Sequence, residues 1–175
     1  MIFETLAWAG NGLEILDQRL LPLTERRILL DTVDGVCEAI RTLAVRGAPA
    51  IGVAAAYGVV VAARERTDEA YVKRAIGLLR ATRPTAVNLF TALDYMSAAV
   101  DDAFASPKPA ERLLEAARAY HDEDLRICRK LSEHGAAILQ ENCMRCHEEL
   151  LSRINEDRQC WQCHRRHSHS TTGAL

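Results

Sequence analysis

No charge of either sign dominates this sequence: 22 Lys and Arg stand against 24 Asp and Glu, a formal net charge of -2. That balance leaves no global basic field to hold nucleic acid or an anionic membrane surface, which argues against both as partners. Long apolar runs are also missing. The longest stretch without a charge, Gly47 to Ala63, holds Pro49 and several Ala and Gly. It falls short of the roughly 20 strongly apolar residues that a membrane-spanning helix needs. The opening residues, MIFETLAWAGNGLEILDQRL, have no basic leader and no continuous apolar segment, since Glu4 and Glu14 interrupt them. No export signal is expected, and a cytoplasmic location follows as the default. Internal repeats and low-complexity linkers are absent as well. What is present is ordinary globular composition, 49% hydrophobic and 26% charged over 175 residues, which excludes wholesale disorder and leaves room for one domain with a short appendage.

The cysteines divide the chain. Cys37 and Cys128 stand alone, whereas Cys143, Cys146, Cys160 and Cys163 crowd the C-terminal end together with His147, His164, His167 and His169. The character of the sequence changes near Gln140. We therefore expect a domain over 1–139 and a Cys/His-rich tail over 140–175 that is not an independent domain.

The first part predicts an α+β fold, a small antiparallel sheet followed by a mainly helical domain. Residues 2–9 and 13–17 flank Gly10-Asn11-Gly12, a hairpin signal because Asn and Gly tolerate positive φ. Residues 27–30 supply a third strand. Val33, Val36, Cys37, Ile40, Leu43 and Ala44 recur at helical spacing, with Asp31 or Thr32 as the cap and Gly47 as the end. The run AIGVAAAYGVVVAA is apolar all round, as in a helix buried on every side. Val72, Ala75, Ile76 and Leu79 mark a helix that starts near Asp68, and residues 88–104 form another. After the break at Ser106-Pro107-Lys108-Pro109, a long helix is expected over 110–139, with Leu113, Leu114, Ala117, Tyr120, Leu125, Cys128 and Leu131 as its apolar stripe. Cys37 and Cys128 read as small core residues. His121 and His134 read as solvated, and Asp94 and Asp101 as members of a solvated helix face.

Two junctions carry chemistry. Arg46-Gly47-Ala48-Pro49-Ala50-Ile51-Gly52 lies where a buried helix begins, and helix starts offer unpaired N–H groups and a dipole that favours an anion. Gly47 lets a ligand approach the backbone, and the Arg46 guanidinium is a planar fork suited to phosphate or carboxylate. Arg83-Pro84-Thr85-Ala86-Val87-Asn88-Leu89 repeats the arrangement.

RGAPAIGVAAAYG with RPTAVNLF, preceded by LAWAGNGLEILDQRLLP and followed by CRKLSEHGAAIL, resembles the N-terminal region of the methylthioribose-1-phosphate isomerase family, over nearly all of residues 1–139. The resemblance implies an enzyme of methionine salvage that interconverts 5-methylthioribose 1-phosphate and 5-methylthioribulose 1-phosphate, an aldose–ketose pair, without metal or organic cofactor. It further implies that Arg46, Gly47, Ala48 and Arg83 bind the phosphorylated sugar, and that dimers form through a second, Rossmann-like domain. The family's catalytic cysteine stands in a motif of the type THCNxGxL shortly after EHG, and its catalytic aspartate lies later. Here EHGAAILQ runs into ENCMRCHEELL, and the nearest echo is His169-Ser170-Thr171-Thr172-Gly173-Ala174-Leu175, with Ser170 where the thiol belongs. The expectation is a clamp without catalytic residues, a truncated N-terminal fragment inactive alone. The same fold family includes regulatory subunits of a translation initiation factor exchange complex. The intact RGAPAIG and RPTAVNL favour the isomerase branch.

The tail holds two copies of C-x-x-C-H, Cys143–His147 and Cys160–His164. Two thiols at this spacing can bond both vinyl groups of one haem while the next His reaches the iron. The segment is similar to the end of small multihaem c-type cytochromes of nitrite and nitrate reductase systems. That similarity makes His147 and His164 proximal iron ligands and His169 a distal one. A four-thiolate zinc site is the lesser alternative. Haem c attachment normally happens outside the cytoplasm, which conflicts with the isomerase part, so a chimeric product of an isomerase gene and a cytochrome end is a third expectation.

Overall fold

The computed structural model describes residues 5–146, with side chains described through 138. Three strands, β1 (Leu6–Ala9), β2 (Gly12–Leu16) and β3 (Arg27–Leu30), precede five helices, α1 (Val33–Arg41), α2 (Ala48–Glu65), α3 (Glu69–Arg80), α4 (Val87–Phe104) and α5 (Pro109–Cys146). The α+β architecture matches the sequence expectation. The chain divides into two compact units, Met1–Asp124 and Leu125–Leu175. In the second unit the described residues are the latter part of α5.

The sheet is antiparallel in the order β1-β2-β3. Its register stacks Leu6, Ile15 and Ile28 in one row and Trp8, Leu13 and Leu30 in the next. The period of two puts these rows on the face turned to the helices. Glu14 lies on the other face and pairs with Arg27 at 2.9 Å. The β1–β2 turn is Gly10-Asn11, because Gly12 already stands opposite Ala9 in the ladder. Only Gly10 takes positive φ there, 56°. Gly12 is required for another reason: a Cβ on it would sit 2.6 Å from the Leu30 carbonyl oxygen.

Helix α2 is the axis of the first unit, and every residue from Ile51 to Ala63 is buried. Against the expectation from its charge-free stretch, this helix is long and apolar enough to cross a membrane by length and composition alone, but it is 72% buried within the protein, as a core helix is. Gly52 and Gly58 let neighbours close in: a Cβ on Gly58 would be 3.1 Å from Leu79 and Val36 side chains, and one on Gly52 would be 2.8 Å from the Asn88 carbonyl oxygen. Val72, Ala75, Ile76 and Leu79 form the buried face of α3, with Asp68 as its cap, as the spacing predicts. Across the surface, α3 is tied to α4 by Lys73–Asp101 at 2.8 Å and by Arg80–Asp94.

Four expectations need correction. Helix α1 ends at Arg41, not at Gly47: Leu43 adopts φ 62° and is 41% exposed, so it leaves the apolar face on which periodicity put it. Helix α5 runs past 139 to Cys146. Its apolar stripe is buried at Leu113, Leu114 and Ala117, but Cys128 is exposed and Leu131 is 71% exposed. Cys128 is therefore not a core residue; sequence spacing continues where packing partners do not. His121, finally, is half-buried rather than solvated. Its Nδ1 lies 3.1 Å from the Tyr57 hydroxyl and its ring meets Tyr57 edge-on at 5.8 Å.

Candidate anion-binding site

The direction of the helices brings the two motifs to one end of the first unit. Leu79 packs against Gly58, and Glu65 accepts from the Tyr71 hydroxyl, so α3 returns antiparallel to α2. Lys73 meets Asp101 and Arg80 meets Asp94, so α4 is antiparallel to α3. Helices α2 and α4 consequently run in the same sense, and Gly52 beside Asn88 places their first turns at the same end.

These two starts differ from those of α1 and α3 in how they are capped. At α1, the Thr32 hydroxyl accepts from Gly35 N, the Glu65 carboxylate accepts from Val33 N at 3.1 Å, and Asp34 stands in the first turn. At α3, Asp68 accepts from Ala70 N and Glu69 follows. At α2, the cap is Gly47 with φ 101°, with no side-chain hydrogen bond and no acidic residue in the first turn. At α4, the cap is Ala86, again with no side-chain bond and no acidic residue. At neither start does a side chain take the orphan donors; Pro49 has no N–H, and Ala86 N and Leu89 N donate to the Arg83 and Ala86 carbonyls, so the N–H groups of Ala48, Ala50, Val87 and Asn88 stand at the positive dipole ends without a side-chain cap.

Arg46, Gly47 and Ala48 are all exposed, and Arg83 is half-buried. Arg46 donates from Nη2 to the Gln18 carbonyl at 2.9 Å, and Gln18 Nε2 donates back to the Arg46 carbonyl at 3.4 Å. Neither Arg46 nor Arg83 has a carboxylate partner among the described residues, unlike Arg19, Arg27, Arg41, Arg80 and Arg112. Gly47 is no helix terminator: its positive φ turns the chain from the 42–46 segment into α2. Tyr120 of α5 reaches the same region, since its hydroxyl would be 3.4 Å from a Cβ on Gly52. Its ring meets that of Tyr95 at a tilt, with centroids 5.4 Å apart, and burial raises its phenol pKa above the ordinary value. Cys37, in contrast, is buried in the core and its thiol is pushed up by desolvation, which suits packing rather than nucleophilic attack.

Three contributors lay outside the motifs. Asp17 and Arg19, just after β2, and Thr42 in the 42–46 segment form a network beside Arg46. The only local signal is the D-x-R spacing in LEILDQRL. Of the tail, α5 carries the backbone of Cys143 and Cys146. Their side chains, and all of His147, Cys160, Cys163, His164, His169 and Ser170, lie outside the described residues.

A helical unit faced by a small sheet carries, at one end, two helix starts without side-chain caps and two arginines without a carboxylate partner among the described residues. The profile of the Initiation factor 2 subunit family matches residues 44–145. The chain belongs to that family. Among curated relatives, "Methylthioribose-1-phosphate isomerase" of Methylococcus capsulatus is 51% identical over 142 residues, covering 78% of this chain and 40% of the relative. The protein of the same name from Heliobacterium modesticaldum is 43% identical over 147 residues, covering 79% and 43%. The chain thus spans about two fifths of the length of these relatives. In structure it is similar to translation initiation factor eIF-2B subunit delta of A. fulgidus (TM-score 0.69, 36% identity, 78% of this chain and 42% of that one). It is also similar to 5-methylthioribose 1-phosphate isomerase of Pyrococcus horikoshii (TM-score 0.63, 33% identity, 68% and 36%).

Proposed function

We propose that residues 1–139 are the sugar-phosphate clamp of a methylthioribose-1-phosphate isomerase, which converts 5-methylthioribose 1-phosphate to 5-methylthioribulose 1-phosphate in the cytoplasm. The observation that carries this reading is the pair of uncapped helix starts at one end, each preceded by an arginine without a carboxylate. The names of the relatives support the substrate. In this reading the first-turn N–H groups of α2 and α4 receive phosphate oxygens, and Gly47 permits the close approach. Arg46 and Arg83 supply the forks that fix phosphate and sugar hydroxyls. These groups position the substrate and break no bond. Ring opening and hydrogen transfer between the neighbouring carbons fall to residues outside the matched span, and no metal or organic cofactor is needed for them.

Titration calorimetry with 5-methylthioribose 1-phosphate or inorganic phosphate tests the clamp. Arg46→Ala should abolish binding; equal binding by that variant overturns the assignment. The 175-residue polypeptide should show no isomerisation, and turnover comparable to that of its longer relatives would refute the division of labour.

The two C-x-x-C-H copies favour a second reading for residues 140–175, a c-type haem module of an electron-transfer protein, with the whole a chimeric product. Each copy presents two thiols and a following imidazole, the donor set that haem c takes. Haem would supply one-electron transfer. A Soret band retained through acid–acetone extraction supports this reading. Stoichiometric zinc with no such band supports a four-thiolate site instead.

A further inference from the structure

The segment that holds Arg46 is itself clasped. Asp17 is 3% exposed and takes Arg19 in a fork: Nε to Oδ1 at 2.8 Å and Nη2 to Oδ2 at 2.6 Å. These bonds hold the Asp17 carboxyl below the usual carboxylate range. The remaining Nη1 of Arg19 crosses to the Thr42 hydroxyl at 3.0 Å, which in turn donates to the Glu38 carbonyl at 2.8 Å. Between these ends, Gln18 N donates to the Ala44 carbonyl at 3.0 Å, and the Gln18 carbonyl accepts from Arg46. So 17–19 runs alongside 42–46 with a bond at every second step. Within that bracket lies Leu43 at φ 62°. A bulky side chain in that region is uncommon, and such strain persists where surrounding contacts fix it.

We infer that Asp17, Arg19 and Thr42 are positioning residues for Arg46: the bracket holds the Gln18 carbonyl where it aims the Arg46 guanidinium at the α2 entrance. This rests on the clamp reading above. An exposed arginine has rotamer entropy to lose on binding. One N–H tethered to a rigid carbonyl removes part of that loss in advance, while the rest of the fork has no partner among the described residues and stays open to an anion. Arg19 is suited to the task because its planar fork spans a carboxylate and a hydroxyl at once, which an ammonium does not do with the same geometry.

Asp17 is buried, and its loss can unfold the chain, so the test uses the accessible end of the bracket. In the full 175-residue protein, Thr42→Val removes the hydroxyl at equal size, Thr42→Ser restores it, and Arg19→Lys keeps the charge without the fork. With inorganic phosphate as the probe, Thr42→Val and Arg19→Lys should each weaken binding about tenfold, with an unchanged circular dichroism spectrum, and Thr42→Ser should bind as the parent does. In parallel, the Arg46 side-chain Nε–H resonance of the ligand-free protein should be ordered in the parent and in Thr42→Ser, and mobile in the other two. An Arg46 resonance equally ordered in all four proteins overturns the inference even if phosphate does not bind at all. If the resonance responds but Arg46→Ala leaves phosphate affinity intact, the positioning holds and the clamp reading fails.

Discussion

The starts of α1 and α3 and the starts of α2 and α4 face the same physical problem and meet it in opposite ways. Each begins with donors that have no intrahelical partner. At α1 the protein brings Thr32, Asp34 and the distant Glu65 to those donors, and at α3 it brings Asp68 and Glu69. At α2 and α4 it brings glycine and alanine. A cap contributes about 1 kcal/mol, so leaving two entrances open forgoes stability that the sequence obtains elsewhere within the same unit. The difference teaches that what a helix start omits can mark a candidate anion site, provided that other starts in the same chain show the omission is not general.

Closing the joint between the open starts should have the largest effect. Gly52→Ala would place a Cβ 2.8 Å from the Asn88 carbonyl oxygen, so α2 and α4 must separate. Overpacking of this kind costs about 1–3 kcal/mol, which exceeds the gain of up to ~1 kcal/mol from alanine's helix propensity. Chemical denaturation should show net destabilisation of up to about 3 kcal/mol, and phosphate affinity should fall with it. Full stability with full affinity would mean that the joint does not set the spacing of the entrances.

Exchanging the two kinds of start comes next. Thr32→Ala removes a cap from α1 and should cost about 1 kcal/mol without touching phosphate affinity. Ala86→Asp adds a cap and a negative charge at α4, where the backbone at φ -85° and ψ 91° is already extended as a cap residue requires. It should stabilise the protein by a few tenths to ~1 kcal/mol and weaken phosphate binding. Thermal melts and calorimetry on the pair read both quantities. Opposite signs for stability and affinity at Ala86 are the decisive outcome; a gain in both would place the anion elsewhere.

Much of this fold was legible because it is local. The period of two in LEIL, the all-round apolar AIGVAAAYGVVVAA, the stripe Val72-Ala75-Ile76-Leu79 and the cap at Asp68 depend on neighbours within a few residues. What escaped depends on partners far along the chain. His121 is half-buried because Tyr57 reaches it, and Cys128 is exposed because no described residue covers α5 there. Leu43 turns left-handed within a segment bonded to Gln18 and Arg19. At the site, Arg46 and Arg83 were readable as residue types beside helix starts. That both starts open at one end came only from the course of α3 between them, and the link from the local Asp17–Arg19 pair to Thr42 is one that no sequence spacing signals.

The smallest effect separates a built site from general attraction. Lys73 is a cation of the same unit with its partners in place: it donates to Glu69 at 2.7 Å and to Asp101 at 2.8 Å, with the side chain 48% exposed. Those contacts raise its pKa, yet exposed pairs contribute at most about 1 kcal/mol, because solvent screens them and ordering two long side chains costs entropy. Lys73→Met should therefore leave stability nearly unchanged and phosphate binding unchanged, although it removes the same formal charge as Arg46→Ala. If the two variants weaken phosphate binding equally, the anion responds to net charge. If only Arg46→Ala does, a cation without a carboxylate partner beside an uncapped start is what holds it, and the contrast between open and closed entrances is functional.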